Sequence, residues 1–430
     1  MTMGWALKTP LLSCLLWPGM VWAVERFPPP QFETDYVRPE VLLAKPRPVV
    51  WDYIDLAFLA IGLGTASWLA HRYRHRRAIL GLMLASVLYL GFFRKGCICP
   101  VGAVQNVVLA IANSEYNLPL SVVFIFGLPL LFALFFGRVF CGAICPLGAV
   151  QDLVLLRPVA IPVWLESIGR LAAYIYLGLA IASTAISGVF LVCRYDPFVS
   201  AFRFSGNLYI LILGGCILLI ALFIGRPYCR FLCPYGVILR NLSRLTRRMI
   251  SISPDKCIDC GLCAKACPFG AIRPPVTRPK GQAIATLKAL LLWWVAASTI
   301  IMLAGFFLGS LAARGIARLD STVQMASNLQ AGSDGPSHIR DAVAAYLASG
   351  GTAEALLEKA RVTLARYRMA GGLLGGWIGL VIGLKALGAC IKWPQDGYRA
   401  DPASCLACGR CFAYCPREHL RRGKLESHDH

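Results

Sequence analysis

The chain is poor in charged residues for its length. Of its 430 residues, 15% are charged and 57% are hydrophobic, against roughly 45–50% apolar residues in an ordinary soluble domain. This composition excludes a typical soluble globular protein. It predicts a membrane protein with lipid as its main surroundings.

Acidic residues are the scarcer kind of charge. The chain has 22 Asp and Glu against 43 Lys and Arg, which gives a net charge of +21. The basic residues lie in short loops between apolar stretches and do not line one surface, so they predict membrane topology and no nucleic-acid partner. The sequence also lacks a Cys-x-x-Cys-His haem motif, a P-loop and a Rossmann fingerprint. These absences give no support to substrate chemistry by the chain itself.

The amino terminus predicts an export signal over residues 1–23. Lys8 precedes an apolar run that ends at Ala23, a suitable cleavage point. Residues 24–50 are rich in proline and predict an extended periplasmic linker. A signal kept as an anchor leaves the side assignments below unchanged.

Seven apolar stretches approach the roughly 20 residues that a bilayer crossing requires. The arginine-rich loops after the first and fifth stretches place those loops in the cytoplasm. We therefore predict a bacterial inner-membrane protein whose mature amino terminus is periplasmic and whose carboxyl terminus is cytoplasmic. The predicted spans are residues 52–70, 78–93, 118–137, 168–192, 207–225, 284–311 and 371–391.

Two cysteine motifs with the spacing C-x2-C-x2-C-x3-C-P are the strongest chemical pattern. This spacing is typical of bacterial [4Fe-4S] clusters, in which the fourth cysteine ligates the other cluster of a pair. A zinc ribbon would instead need two separated cysteine pairs. We predict two [4Fe-4S] clusters, one held by Cys257, Cys260, Cys263 and Cys415, the other by Cys405, Cys408, Cys411 and Cys267.

A long segment with two of the predicted spans separates these motifs, yet both motifs return to the cytoplasmic side. The predicted fold is an α-helical polytopic membrane protein with about seven spans and a small, split 2[4Fe-4S] ferredoxin-like cytoplasmic domain. Its parts are a five-span membrane domain (51–250), the first ferredoxin half (251–283), a membrane hairpin (284–391) with a periplasmic helical loop (312–368), and the second ferredoxin half (392–430).

An internal repeat carries a second group of cysteines. The copies read CGAICPLGAVQD from Cys141, CRFLCPYGVILR from Cys229, and a shorter CICPVGAVQN from Cys97. Three interpretations remain open for the first two copies: a further metal cluster, dithiol/disulfide pairs, or reduced thiols packed where proline begins a helix. The cysteines concerned are Cys141, Cys145, Cys229 and Cys233.

The predicted topology brings Cys97, Cys99 and Cys193 together at the periplasmic side, away from the cytoplasmic clusters. We expect either an outer redox or metal site or a structural disulfide there. Arg94, Lys95 and Arg194 lie nearby in the sequence. Their charges predict lowered thiol pKa values.

These repeats and the ferredoxin motifs together resemble the NapH/NosR group of membrane polyferredoxins over roughly residues 80–275 and 400–420. The resemblance implies membrane electron transfer with a periplasmic reductase system, a periplasmic flavoprotein or cytochrome as partner, and a link to quinone. The alternative that it implies is an assembly or regulatory factor for a periplasmic metalloenzyme. The NosR-type periplasmic flavin domain is not recognisable, and no covalent-flavin threonine motif is found.

Overall fold

The computed structural model describes residues 48–96, 98–205, 207–250, 257–275, 284–332, 336–390 and 397–421. The predicted export signal, most of the linker and Cys97 lie outside these ranges. Within them the chain is mostly helical. The helices are α1 (Val50–Trp68), α2 (Arg76–Ser86), α3 (Pro100–Ala112), α4 (Leu120–Phe136), α5 (Pro146–Leu153), α6 (Val163–Ser187), α7 (Leu191–Tyr195), α8 (Pro197–Arg203), α9 (Leu208–Ala221), α10 (Pro227–Phe231), α11 (Pro234–Leu242), α12 (Leu262–Lys265), α13 (Ile284–Ala317), α14 (Ser321–Gln330), α15 (Ser337–Ala348), α16 (Ala353–Cys390), α17 (Arg410–Ala413) and α18 (Pro416–Arg421).

Five of the described helical stretches are long and apolar enough to cross a membrane. The helix pair α8 and α9 bends by 109° and would make a sixth if it acts as one span. The predicted span 118–137 corresponds to α4, which has 17 residues and is somewhat short of a full crossing. The predicted number of seven therefore stays a prediction. The five stretches are Val50–Tyr73, Arg76–Phe93, Trp164–Ser187, Leu292–Ala317 and Ala353–Leu387.

Helices α13 and α16 pack against each other through glycines. A β-carbon on Gly375 would overlap the carbonyl oxygen of Gly305, and one on Gly309 would overlap that of Gly371. Such small residues four apart allow two helix backbones to approach closely. Trp377 of α16 also donates a hydrogen bond to the carbonyl of Tyr174 in α6, at 3.0 Å. The hairpin is thereby attached to the rest of the helical core.

Two short strands join the halves of the ferredoxin-type region. Strand β1 (Ile272–Arg273) pairs antiparallel with β2 (Arg399–Ala400), with Ile272 opposite Ala400. The amide of Asp401 donates to the carbonyl of Ala271 at 2.7 Å and extends this pairing. The region after the first cysteine motif therefore contacts the region before the second, although a helical hairpin separates them in the sequence.

Candidate metal centres

A cavity of about 330 Å³ lies between the two ferredoxin-type motifs. Five cysteines line its wall: Cys257, Cys260 and Cys263 of the first motif, and Cys411 and Cys415 of the second. Cys260 is exposed and Cys263 is buried, so the cavity begins near the surface and reaches inward. They include all four residues that the sequence predicts for the first cluster, together with Cys411 of the second predicted set.

The complementary four cysteines also lie near one another. Burial, followed by the negative charges of Cys405, Cys408 and Cys267, raises the pKa of Cys411 well above its usual range. The pKa of Cys405 is raised to about 12 by burial together with Cys408 and Cys267. Cys267 thus stands with the second motif rather than with its own. Thiols with raised pKa values stay protonated near neutral pH, and metal binding displaces their protons into solvent.

Local backbone geometry explains how each motif loop turns. Gly261 and Gly409 precede α12 and α17 with φ of 69° and 73°, a left-handed conformation that glycine adopts without a steric penalty. Each of these glycines is the residue immediately after the second cysteine of its motif. The turn lets the third cysteine enter the short helix and face the other two.

A third group comprises Cys141, Cys145, Cys229 and Cys233, called here the four-thiol site. All four side chains are 7–9% exposed. Burial raises the pKa of Cys145 well above its ordinary value, and the charges of Cys229, Cys141 and Cys233 raise it further. The two repeat copies therefore converge, which the sequence left open.

The repeat sequence sets the local structure of this site. Cys145 and Cys233 each stand immediately before a proline that begins a helix, α5 and α11, as is common at the first helical position. The Cys233 sulfur accepts a hydrogen bond from the amide of Gly236 at 3.3 Å. Helix starts supply such amide donors to a negatively charged sulfur.

A buried glutamine in the repeat holds the next cysteine segment in place. Gln151 accepts from the amide of Tyr228 at 3.0 Å and donates to the Cys229 sulfur at 3.4 Å. Gln105 stands at the same position of the shorter copy that begins at Cys97. Its side chain accepts a hydrogen bond from the amide of Val192 at 3.1 Å. Val192 directly precedes Cys193 as Tyr228 precedes Cys229. Cys193 is thus the structural counterpart of Cys229.

Cys99 and Cys193 line one cavity of about 130 Å³ together with Asp196. A β-carbon on Gly102 would lie 3.0 Å from the Cys193 sulfur, and the Cys99 sulfur accepts from the Gly102 amide. Both sulfurs therefore contact the same glycine. Cys97, the third member of this predicted group, lies outside the described residues.

The expectation of lowered pKa values in this outer group was wrong. Burial, followed by the charge of Asp196, raises the pKa of Cys99 to about 12, and the same two causes raise the pKa of Cys193. The predicted lowering fails because burial and the negative charge of Asp196 dominate both thiols, while Arg94 is engaged in an ion pair with Asp55.

The outer group lies near the four-thiol site. The Asp196 carboxylate accepts a hydrogen bond from the Tyr228 hydroxyl at 2.9 Å, and Tyr228 adjoins Cys229. The charge of Cys99 contributes to the raised pKa of Cys233. One hydrogen bond therefore links the Cys99/Cys193 cavity to the four-thiol site.

The four-thiol site also touches the second ferredoxin-type motif. A β-carbon on Gly142, beside Cys141, would overlap the carbonyl oxygen of Leu406, beside Cys405. Arg76 donates to the carbonyl of Cys408 at 2.9 Å and forms an ion pair with Asp152 in α5 at 2.5 Å. The cysteine groups thus form a contiguous series through the molecule.

Groups of four cysteines are the usual ligand set of a [4Fe-4S] cluster. Within the described ranges, no three Cys, His, Asp or Glu side chains are arranged to hold one metal ion. A cubane cluster places a separate iron at each thiolate and so accepts a wider set than a tetrahedral zinc ion does. The 330 Å³ cavity is lined by cysteines of both motifs, the residue type that ligates such a cluster.

Asp152 and the arginines around it are residues of this region that sequence patterns did not reveal. Arg76, Arg226 and Arg410 surround the Asp152 carboxylate at 2.5, 3.5 and 3.2 Å. Burial alone would raise the pKa of Asp152, but these three positive charges outweigh it and hold the pKa well below its usual range. In the sequence, Arg76 and Arg226 served only to assign two loops to the cytoplasm, and Arg410 lies inside the second cysteine motif.

Comparison with known proteins relates these motifs to iron–sulfur chemistry. A 4Fe-4S binding domain family matches residues 78–113, 118–162 and 207–253, which contain the three repeat copies, and a second 4Fe-4S binding domain family matches residues 250–273. A protein of Escherichia coli (strain K12) named "Putative electron transport protein YccM" is 34% identical over 123 residues. That match covers 26% of this chain and 34% of that protein. No solved structure matches. The matches indicate iron–sulfur clusters in this chain.

Proposed function

We propose that the chain is a membrane-bound electron-transfer protein that links cytoplasmic-side [4Fe-4S] clusters to quinol or to a periplasmic redox partner. The observation that carries the proposal is the contiguous series of cysteine groups. It runs from the 330 Å³ cavity through the Cys405 motif and the four-thiol site to the Cys99/Cys193 cavity. A series of neighbouring redox centres is what stepwise electron transfer needs.

The ligand assignment within this proposal follows the exchange of the fourth cysteine. Cys257, Cys260, Cys263 and Cys415 hold one cluster, while Cys405, Cys408, Cys411 and Cys267 hold the other. The four-thiol site holds a third, because its four buried sulfurs converge and the matched 4Fe-4S binding family extends over both of its repeats. The clusters supply one-electron chemistry, and the chain supplies thiolates, amide donors and exclusion of water.

Iron analysis of anaerobically purified protein tests the assignment. We expect about twelve iron and twelve sulfide per chain, one [4Fe-4S] set for each group of four cysteines. Replacing Cys233 with Ser should reduce the content to about eight. A wild-type content of about eight would remove the third cluster, and one of about four would refute the paired ferredoxin-type reading.

Exchange of the fourth ligand has its own test. Cys415→Ala should damage the cluster at Cys257, Cys260 and Cys263 more than the cluster of its own motif, as seen in EPR spectra of the reduced protein. The matched variant Cys267→Ala should damage the cluster at Cys405, Cys408 and Cys411 instead. If each variant affects only its own motif, the halves do not exchange ligands.

Rapid kinetics separate electron flux from a role in assembly or regulation. A flux protein with reduced clusters should be reoxidised by a quinone or a periplasmic acceptor within a turnover time. Cys193→Ser should slow that exchange and leave the iron of the ferredoxin-type motifs unchanged. Slow, sub-turnover exchange in the wild type would instead favour an assembly factor for a periplasmic metalloenzyme.

A further inference from the structure

Five arginines surround a small cavity between the four-thiol site and the loop at Ser404. The cavity measures about 20 Å³, and Cys229, Phe269, Ser404 and Leu406 complete its wall. We call these side chains the arginine cluster. Its members are Arg138, Arg170, Arg226, Arg230 and Arg240.

Carboxylates neutralise only part of this positive charge. Glu166 forms ion pairs with both Arg170 and Arg230. Asp152 forms one with Arg226 at 3.5 Å but is shared with two further arginines. Among the described residues, neither Arg138 nor Arg240 forms an ion pair with a carboxylate.

Arg240 is the least satisfied member of the cluster. It is 5% exposed, and its Nη2 donates to the carbonyl of Arg230 at 3.1 Å. Its Nε and Nη1 are buried and have no hydrogen-bond acceptor in the described structure. Burial, followed by the charges of Arg138 and Arg170, lowers the pKa of Arg240 to about 9. A buried charge in this state requires a negative counter-charge.

Arg138 contacts both neighbouring cysteine groups. It is 3% exposed, and its two Nη atoms donate to the carbonyl of Ala403 at 3.1 Å and to the Cys141 sulfur at 3.9 Å. Cys229 and Leu406, the residue after Cys405, line the same cavity as Arg138. The positive charge is therefore shared between the four-thiol site and the second ferredoxin-type motif.

We propose that Arg138 and Arg240 are the shared counter-charge of the clusters at these two cysteine groups and raise their reduction potentials. The proposal rests on the proposed function. Four thiolates and four sulfides outweigh the charge of the irons, so each cluster is net negative, and one-electron reduction adds a further negative charge. A fixed positive charge stabilises the reduced cluster more than the oxidised one, and net charge is a main determinant of cluster potential.

EPR-monitored redox titration of the intact protein tests this role. Arg240→Gln and Arg138→Gln should each lower the potential of at least one [4Fe-4S] signal while iron content stays at the wild-type value. Arg240→Lys keeps the charge and should retain a potential nearer to the wild type. Arg361→Gln, on an exposed part of α16, is the matched control and should leave every potential unchanged.

Each result decides the question. Unchanged potentials in both Gln variants with full iron would overturn the proposal. Iron loss in Arg240→Gln but not in Arg240→Lys would support it, because the clusters then need the charge itself. Iron loss in both Arg240 variants would overturn it, since shape rather than charge would be required. Wild-type protein without any [4Fe-4S] signal would be a separate result and would refute the proposed function.

Discussion

Single residues decide how closely the cysteine groups approach one another. Gly142 and Asp152 are the clearest cases, because each lies where two separate parts of the chain meet. Gly142 adjoins the Leu406 carbonyl, and Asp152 gathers arginines from three different segments. Neither residue is a candidate ligand, so a change at either one tests the support of the site separately from ligation.

Gly142→Ala should separate the four-thiol site from the second ferredoxin-type motif. Its β-carbon would overlap backbone rather than a movable side chain, and overpacking of this kind costs about 1–3 kcal/mol. We expect a lower melting temperature and loss of iron from the affected clusters. Gly127→Ala, which meets nothing within 4 Å, is the control. Equal stability of the two variants would contradict the close contact.

Asp152→Asn should leave Arg226, which is 1% exposed, without its carboxylate. Removing one partner of a buried ion pair typically costs about 3–5 kcal/mol, and unfolding in denaturant measures the loss. Asp341→Asn, at an exposed position of α15, should be nearly neutral. A cost no larger than that of the control would show that the three arginines find other partners.

The depressed pKa of Asp152 also predicts how stability depends on pH. Because the folded-state pKa lies below the unfolded value near 4, the carboxylate contributes its full stabilisation above about pH 4. That contribution is lost as the pH falls through the folded pKa. Wild-type stability should therefore fall in this acidic range, and the fall should be smaller in Asp152→Asn. Parallel pH profiles would contradict the prediction.

At the scale of elements, two kinds of helix serve different ends. The short helices that begin at a Cys-Pro pair, α3, α5 and α11, fix cysteines at positions where amide donors converge. The long helices α13 and α16 hold the two ferredoxin-type halves at the ends of one hairpin. Their close contact depends on glycine rather than on large apolar side chains.

Gly375→Ala should disturb the α13–α16 hairpin. The added carbon would overlap the Gly305 carbonyl oxygen, so the helices must separate or shift along each other. We expect lower thermal stability in detergent and weaker retention of the two clusters that take ligands from both halves. Gly315→Ala on α13 meets nothing within 4 Å and is the control. The same melting temperature in both variants would mean that the helices tolerate a wider spacing.

At the scale of the whole molecule, the pairing of β1 with β2 requires both ferredoxin-type halves to lie on one side of any membrane that the hairpin crosses. An epitope inserted at Gly350, in an exposed turn between α15 and α16, should be labelled from the periplasm while the inner membrane is intact. An epitope added after His430 should be labelled only after the inner membrane is permeabilised. Labelling of both epitopes from the same side would contradict the topology.

The sequence by itself determined that the chain has apolar helices long enough to cross a membrane. It also determined that cysteines are the residues that carry the chemistry. Both follow from local rules. The length of an apolar stretch must match the thickness of the bilayer, and the C-x2-C-x2-C-x3-C-P spacing allows one loop to wrap a cluster. A third local rule, the preference of proline for the first helical position, placed Cys145 and Cys233 at helix starts. It could not say whether Cys141 and Cys229 face each other, because nothing in either repeat records the distance between them.

Tertiary structure decided which groups meet. The convergence of the four-thiol site, the hydrogen bond from Tyr228 to Asp196 and the gathering of arginines around Asp152 all join segments that lie far apart in the chain. The predicted thiol pKa values of Cys99 and Cys193 failed for the same reason. Nearness in sequence placed Arg94 beside them, but in the fold Arg94 pairs with Asp55 and a buried carboxylate takes its place. Charge in a buried site acts through space, and only the packed helices fix which charges are close.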